Sequence, residues 1–165
     1  MPPSPKRATM SPDIVAPAAD GSSSFDYPER VVAFVDVLGF ADLVKQSDAN
    51  QLALASVRNL VTVNKLFEQF VCNFLSFADA AWFSDSLVLS MASPENHVIH
   101  LIRETGYLCR YLLLQGFLVR GAITTGSLYH SGRVVVGPAL VNAYQLEKTT
   151  AVYPRVILDE ATMAY

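Results

Sequence analysis

The sequence predicts an α+β sandwich, an antiparallel or mixed sheet with helices on one face. Three observations predict it. Strand-length apolar runs alternate with stretches whose apolar residues recur every three to four positions, in the order β, α, β, β, α, β, β, α, β. The chain has 165 residues, enough to bury one core, and is 52% hydrophobic and 16% charged with a mean hydropathy of +0.30. No internal repeat or second domain interrupts the pattern.

Residues 1–28 read as a disordered leader. Lys6 and Arg7 are followed by Pro, Ser, Ala and Asp, where a signal peptide would carry its apolar segment. The domain is expected over 29–165, opening with the valine-rich strand "RVVAFVDVL". Gly39 and Phe40 follow, then a short segment to about Gln46. From Gln51 to Val71, Leu54, Val57, Leu60, Val61, Leu66, Phe67 and Phe70 mark a helix. "FLSFADAAWFSDSLVLSM" gives two strands around a turn near Ser84 and Asp85. Pro94 and Glu95 open a second helix, since proline is accepted in a first turn; its apolar face carries Val98, Leu101, Ile102, Leu108 and Leu112, and Gln115-Gly116 end it. "FLVRGAITTGSLYHSGRVVVG" predicts another pair of strands, turning around His130 to Arg133. A third helix runs from about Pro138 to Thr149, and "RVILD" makes the last strand.

The composition argues against several classes of partner. The net charge of −3 is the wrong sign for a broad nucleic-acid footprint. An RNA-binding sheet would share a similar element order, but its basic-aromatic pattern is missing. No run approaches the ~18 apolar residues of a membrane span. Cys72 and Cys109 sit in apolar stretches without a CxxC partner and read as buried free thiols, which fits a reducing cytoplasm.

The chemistry concentrates in two places. In "VVAFVDVLGF" the carboxylate of Asp36 is set into an apolar strand, which costs several kcal/mol unless it is paired or holds a metal. Gly39 lets the chain turn, and backbone N–H groups at such a corner suit phosphate oxygens. In "WFSDSLVLS", Asp85 sits at a hairpin tip between Ser84 and Ser86. If the two strands pair, the aspartates meet, and like charges so placed call for a hard divalent cation such as Mg²⁺ or Mn²⁺. Local duties are the alternatives: Asp85 as a turn residue and Asp36 as a helix cap. His97 and His100, three apart on a helix, have no third ligand and read as ordinary surface or interface residues.

"FVDVLGF", "FSDSLVLS", "VRGAITTGSLY" and "VVVGPALVNAYQLE" resemble, in that order, the class III nucleotide cyclases over about residues 30–159. The resemblance implies a ferredoxin-like βαββαβ core and a homodimer with active sites at the interface. It implies two divalent ions held by Asp36, Asp85 and the carbonyl of Val37, and a triphosphate held at Leu38, Gly39 and Phe40, with Phe34 alongside. A full domain of that family would add one more strand.

This sequence departs from the family on its helix motif, where Val141 and Gln145 stand at the transition-state asparagine and arginine positions. Asn142 is next door, but one residue turns a side chain by roughly 100° about a helix. Ala81 and Val134 stand where the adenine-reading lysine and its acidic partner would lie. Kept metal ligands with lost purine readers resemble the bacterial pyrimidine cyclases of the Pycsar anti-phage systems. That implies UTP or CTP as substrate, a cyclic UMP or CMP product, and a separate cyclic-nucleotide-binding effector.

Arg120, Arg133 and Arg155 are the arginines available for phosphates, with Arg133 placed to reach across a dimer. Tyr107, Tyr129 and Tyr144 are candidates to read a base, and Trp82 and Phe83 to narrow the pocket. Three readings stay open: a pyrimidine cyclase, a cyclase of relaxed or purine specificity, and a cyclase-like dimerisation or regulatory domain without activity.

Overall fold

The computed structural model describes residues 27–74, 78–92 and 94–165, with the backbone alone for 70–74. All of the expected leader but residues 27–28, and the side chain of Cys72, therefore lie outside the described residues. The elements are β1 (Glu29–Val37), α1 (Phe40–Ser47), α2 (Gln51–Phe74), β2 (Ala78–Phe83), β3 (Ser86–Ala92), α3 (Pro94–Leu114), β4 (Val119–Ser127), β5 (Tyr129–Ser131), β6 (Val134–Val136), α4 (Pro138–Thr150), β7 (Val156–Leu158) and α5 (Glu160–Met163). Among these residues no helix is long and apolar enough to cross a membrane.

The main sheet has the order β2-β3-β1-β4-β7, antiparallel except for the parallel β4–β7 pair. It is the mixed α+β sheet the pattern predicts. Central β1 is apolar on both faces because both are covered. Val31, Ala33, Val35 and Val37 pack with Leu60 and Val63 of α2 and Leu101, Leu108 and Leu112 of α3. Val32 and Phe34 point the other way, against Val88, Leu128 and the small Ala139 and Ala143 of α4.

The two long helices share one face, as expected, while α4 lies on the other and gives a third layer. Its small residues let it sit close, and Thr124 Oγ1 donates to the Ala139 carbonyl at 2.8 Å.

The stretch expected to be a simple hairpin divides between two sheets. β4 pairs with β1, from Glu29↔Ser127 to Val37↔Val119, whereas β5 and β6 form a ribbon of their own. Glycine is required where the ribbon's two ends cross: Gly137 has φ +153°, and a Cβ there would lie 2.6 Å from the Ser127 carbonyl oxygen and 2.8 Å from Leu128 Cα. The segment after Gly39 is helical, and the expected last strand is only three residues long.

Candidate functional site

Asp36 points from β1 to the α4 side of the sheet, in register with Ser86 of β3 and Arg120 of β4. Ser86 Oγ donates to Asp36 Oδ1 at 3.1 Å, and Arg120 Nε lies 3.8 Å from Asp36 Oδ2. Asp85 occupies the β2–β3 turn, beside Ser84 at φ +60°, and its carbonyl accepts from the Val37 N–H at 3.0 Å. The tight turn thus brings the Asp85 backbone to the end of β1, and its charge is near enough to act on Asp36.

Asp36 does not cap α1. That helix starts from Gly39 in the left-handed conformation, φ +76°, with no side-chain cap. Burial, more than any other influence, pushes the Asp36 carboxyl up from its ordinary range; the Ser86 hydrogen bond lowers it, Asp85 raises it and Arg120 lowers it.

Arg120 also forms an ion pair with Glu147, a buried residue of α4. Burial likewise raises the Glu147 carboxyl, opposed first by Arg120. A cleft of about 210 Å³ opens here, lined by Phe34, Asp36, Ser86, Arg120, Tyr144, Glu147 and Lys148. The Tyr144 ring meets Phe34 edge-on at 5.6 Å between centroids, and Lys148 Nζ donates to the Tyr144 hydroxyl at 3.4 Å. The cleft therefore offers the carboxylates of Asp36 and Glu147, the cations of Arg120 and Lys148, and the Phe34–Tyr144 aromatic pair.

These donors fit a divalent cation. The Asp85 charge is one of the influences that raise the Asp36 carboxyl, and a cation of the magnesium type takes few protein ligands, with water and substrate oxygens completing its shell. Among the described residues no group of three or more His, Cys, Asp or Glu could hold a metal, so any ion here rests on the pair. His97 and His100 stand 6.0 Å apart between ring centroids, and His97 Nδ1 is 2.6 Å from the Ala92 carbonyl oxygen.

The other expected residues divide between the cleft and elsewhere. The Val37 side chain is buried in the core, which leaves its backbone as its contribution. The corner is less open than expected, because the Val37 N–H bonds Asp85 and the Leu38 N–H donates to the Leu118 carbonyl at 2.9 Å. Only amides from Gly39 into the first turn of α1 stay clear of those two bonds, and the Phe40 ring packs on the core.

Arg133 stands exposed at the β5–β6 tip, apart from the cleft. Arg155 donates to the Thr150 carbonyl at 2.7 Å. Trp82 packs against the α2–α3 core instead of narrowing the cleft. Of the three tyrosines only Tyr144 lines it. Cys109 has a free thiol, pushed up to about 11 by burial. Val141, Asn142 and Gln145 are exposed on α4.

Glu147 and Lys148 were not singled out in the sequence. The signal for Glu147 was the spacing of four from Ala139 to Ala143 to Glu147, which puts a carboxylate on the face that meets the sheet.

No protein-family model and no curated protein sequence matches the chain. Solved structures do. A bacterial light-regulated adenylyl cyclase superposes with a TM-score of 0.61 at 15% identity, covering 82% of this chain and 78% of that one. The catalytic core of a rhodopsin-guanylyl cyclase with converted specificity, in complex with ATPαS, gives 0.63 at 13%, covering 84% and 80%. A class III adenylyl cyclase-like ATP-binding protein from Pseudomonas aeruginosa gives 0.57 at 13%, covering 83% of this chain and 34% of that one. At such identities the likeness is one of fold: the chain has the fold of the class III nucleotide cyclases.

Proposed function

We propose that the protein is a pyrimidine nucleotide cyclase that converts UTP to 3′,5′-cyclic UMP and pyrophosphate. In this reading it works in the cytoplasm as a homodimer with active sites at the interface. Its product is a second messenger of anti-phage defence, read by a separate cyclic-nucleotide-binding effector. One observation carries the enzymatic reading: β1–β3 pairing sets Asp36 beside Ser86 at a cleft, with Asp85 in the adjoining turn, in a fold shared with nucleotide cyclases.

Asp36, Asp85 and the Val37 carbonyl would hold Mg²⁺ or Mn²⁺, which when bound supplies charge neutralisation at the phosphates and acidifies the ribose hydroxyl. The chain's own residues do the positioning. Ser86 and Arg120 fix the Asp36 carboxylate from two sides. Glu147 holds Arg120, so its guanidinium stays at the cleft beside Asp36. Lys148 and the Gly39 corner offer charge and amides to phosphate oxygens, and Tyr144 on Phe34 offers a face and a hydroxyl to the base. In the reaction the ribose 3′-oxygen bonds to the α-phosphorus, the bond from that phosphorus to pyrophosphate breaks, and the 3′-proton passes to solvent.

A single-ring base is supported by Ala81 and Val134 at the purine-reader positions. Ala81 is buried in β2 and Val134 points to solvent, so neither offers a polar group to a base. Exposed Val141 and Gln145 favour a second reading, a cyclase-like regulatory domain without activity.

Incubating the purified protein with each of the four nucleoside triphosphates and Mn²⁺, followed by mass spectrometry, separates these readings. Cyclic UMP as the main product, lost in Asp36→Ala, is the expected result. Cyclic CMP instead makes it a cytidylate cyclase, and ATP or GTP as best substrate overturns the pyrimidine assignment. No cyclic product from any nucleotide leaves the regulatory domain.

A further inference from the structure

Asp36 and Arg120 stand directly opposite each other across β1 and β4, and Glu147 of α4 meets the same guanidinium. The three-way contact is uneven. Arg120 Nε faces both carboxylates, in contact with Glu147 but 3.8 Å from Asp36 Oδ2, too far for a hydrogen bond. Asp36 Oδ1 is taken by the Ser86 hydroxyl. The terminal nitrogens of the guanidinium make no hydrogen bond among the described residues. The guanidinium is thus anchored at its Glu147 side and drawn to Asp36 by charge alone.

Burial decides which partner Arg120 keeps. The Glu147 side chain is 3% exposed against 20% for Asp36. A buried carboxylate stripped of its cation is costly, whereas a part-exposed one is served by water or by another cation. The charges also balance before any ion is bound, because the cleft lining carries Asp36 and Glu147 against Arg120 and Lys148. Of these two cations Arg120 is the one beside Asp36, since Lys148 Nζ turns to the Tyr144 hydroxyl at 3.4 Å. A divalent cation on Asp36 therefore meets a positive guanidinium at close range, where like charges repel even in a partly wet site.

We propose that Arg120 is the resident counter-ion of Asp36 and sets how tightly the cleft takes its divalent cation. Glu147 is the positioning residue that draws the guanidinium aside when the cation is bound. The inference rests on the metal reading of Asp36 given above, and its test needs neither nucleotide nor turnover. Net charge does not decide the affinity in this arrangement. Removing Arg120 and Glu147 together leaves the summed charge of the cleft as it was, yet frees Asp36 of its rival.

Mn²⁺ is titrated into the nucleotide-free full chain, and the free ion is read by electron paramagnetic resonance. The Arg120→Gln/Glu147→Gln variant is expected to bind Mn²⁺ at least about tenfold tighter than the wild type. Glu147→Gln alone leaves Arg120 with Asp36 as its only carboxylate and should weaken Mn²⁺ binding by at least about tenfold. Asp36→Asn should abolish the site. In NMR spectra, Mg²⁺ is expected to shift the Arg120 Nε–H signal of the wild type and to leave it in place in Asp36→Asn. That arm keeps the test open should the double variant fail to fold. Wild-type Mn²⁺ affinity in a folded double variant or in folded Glu147→Gln, or an Arg120 signal indifferent to Mg²⁺, overturns the proposal while leaving a metal at Asp36. Mn²⁺ uptake by none of these proteins, or equal uptake by the wild type and Asp36→Asn, overturns the metal reading as well.

Discussion

Asp36 is held where ionisation is expensive, and that has a measurable sign. Its folded-state carboxyl is raised, chiefly by burial, so without a cation the charged form costs stability at neutral pH. Asp36→Asn is therefore expected to raise the metal-free melting temperature, remove the stabilisation that Mn²⁺ adds, and lower cyclase turnover by at least about a hundredfold. A variant that melts lower than wild type without metal would contradict this account of the site.

His130 carries the opposite sign. Burial lowers it to about 4, with Asp79 opposing, Arg30 adding to the fall and a Gly132 backbone hydrogen bond opposing it. The ring joins a hydrogen-bonded chain in which Arg30 pairs with half-buried Asp79 and donates to buried Ser90, whose Oγ lies 2.8 Å from His130 Nδ1. As pH falls from about 6.5 toward about 4 the unfolded chain takes the proton first, so stability is lost across that window, by roughly 3 kcal/mol. Urea midpoints against pH for wild type and His130→Gln isolate this loss, because the cleft carboxylates are common to both proteins. The difference between the two curves is expected to shrink as pH falls.

At the scale of elements, two glycines make opposite predictions. Gly137→Ala puts a methyl into the Ser127–Leu128 backbone at a φ that alanine avoids, and should destabilise the protein by about 2–4 kcal/mol in denaturant titration. Gly106→Ala, in open space in mid-helix, should stabilise it by about 0.5–1 kcal/mol.

Such contrasts also explain what could be read from the chain. β1, α2 and α3 were legible because an apolar run or a 3.6-residue period encodes burial locally. The divided hairpin was not, since apolar residues continue from Phe117 to Val136 whether or not the chain changes sheets, and only the crossing at Gly137 records the change. The side on which α4 packs was equally hidden, because sheet alternation shows two faces without saying which helix covers each. Asp36 was visible as a charge among apolar neighbours, and Asp85 as a turn residue between two serines. Glu147 and Lys148 were not, because their roles exist only once α4 lies across β1 and β4.

For the whole molecule, the face that bears the cleft is unfinished. Val141 and Tyr144 on α4 and Val134 and Val136 on β6 stay 44–59% exposed, and the cleft closes at about 210 Å³ with Lys148 on one side only. In the proposed homodimer a second copy docked on this face would cover those side chains and bring further groups toward Asp36, so that assembly would be tied to activity. Val141→Arg would set a charge in that proposed contact, and a buried unpaired charge typically costs about 3–5 kcal/mol. The variant is expected to run as a monomer in light scattering and to lose turnover in the cyclase assay, with its circular dichroism unchanged. Leu52→Arg, at a side chain 79% exposed on α2, serves as the control and should leave both mass and turnover as in the wild type. A wild-type chain that stays monomeric at assay concentrations while producing cyclic nucleotide would show that the cleft works alone, and the cations needed for the phosphates would then have to come from Arg120 and Lys148 of the same chain.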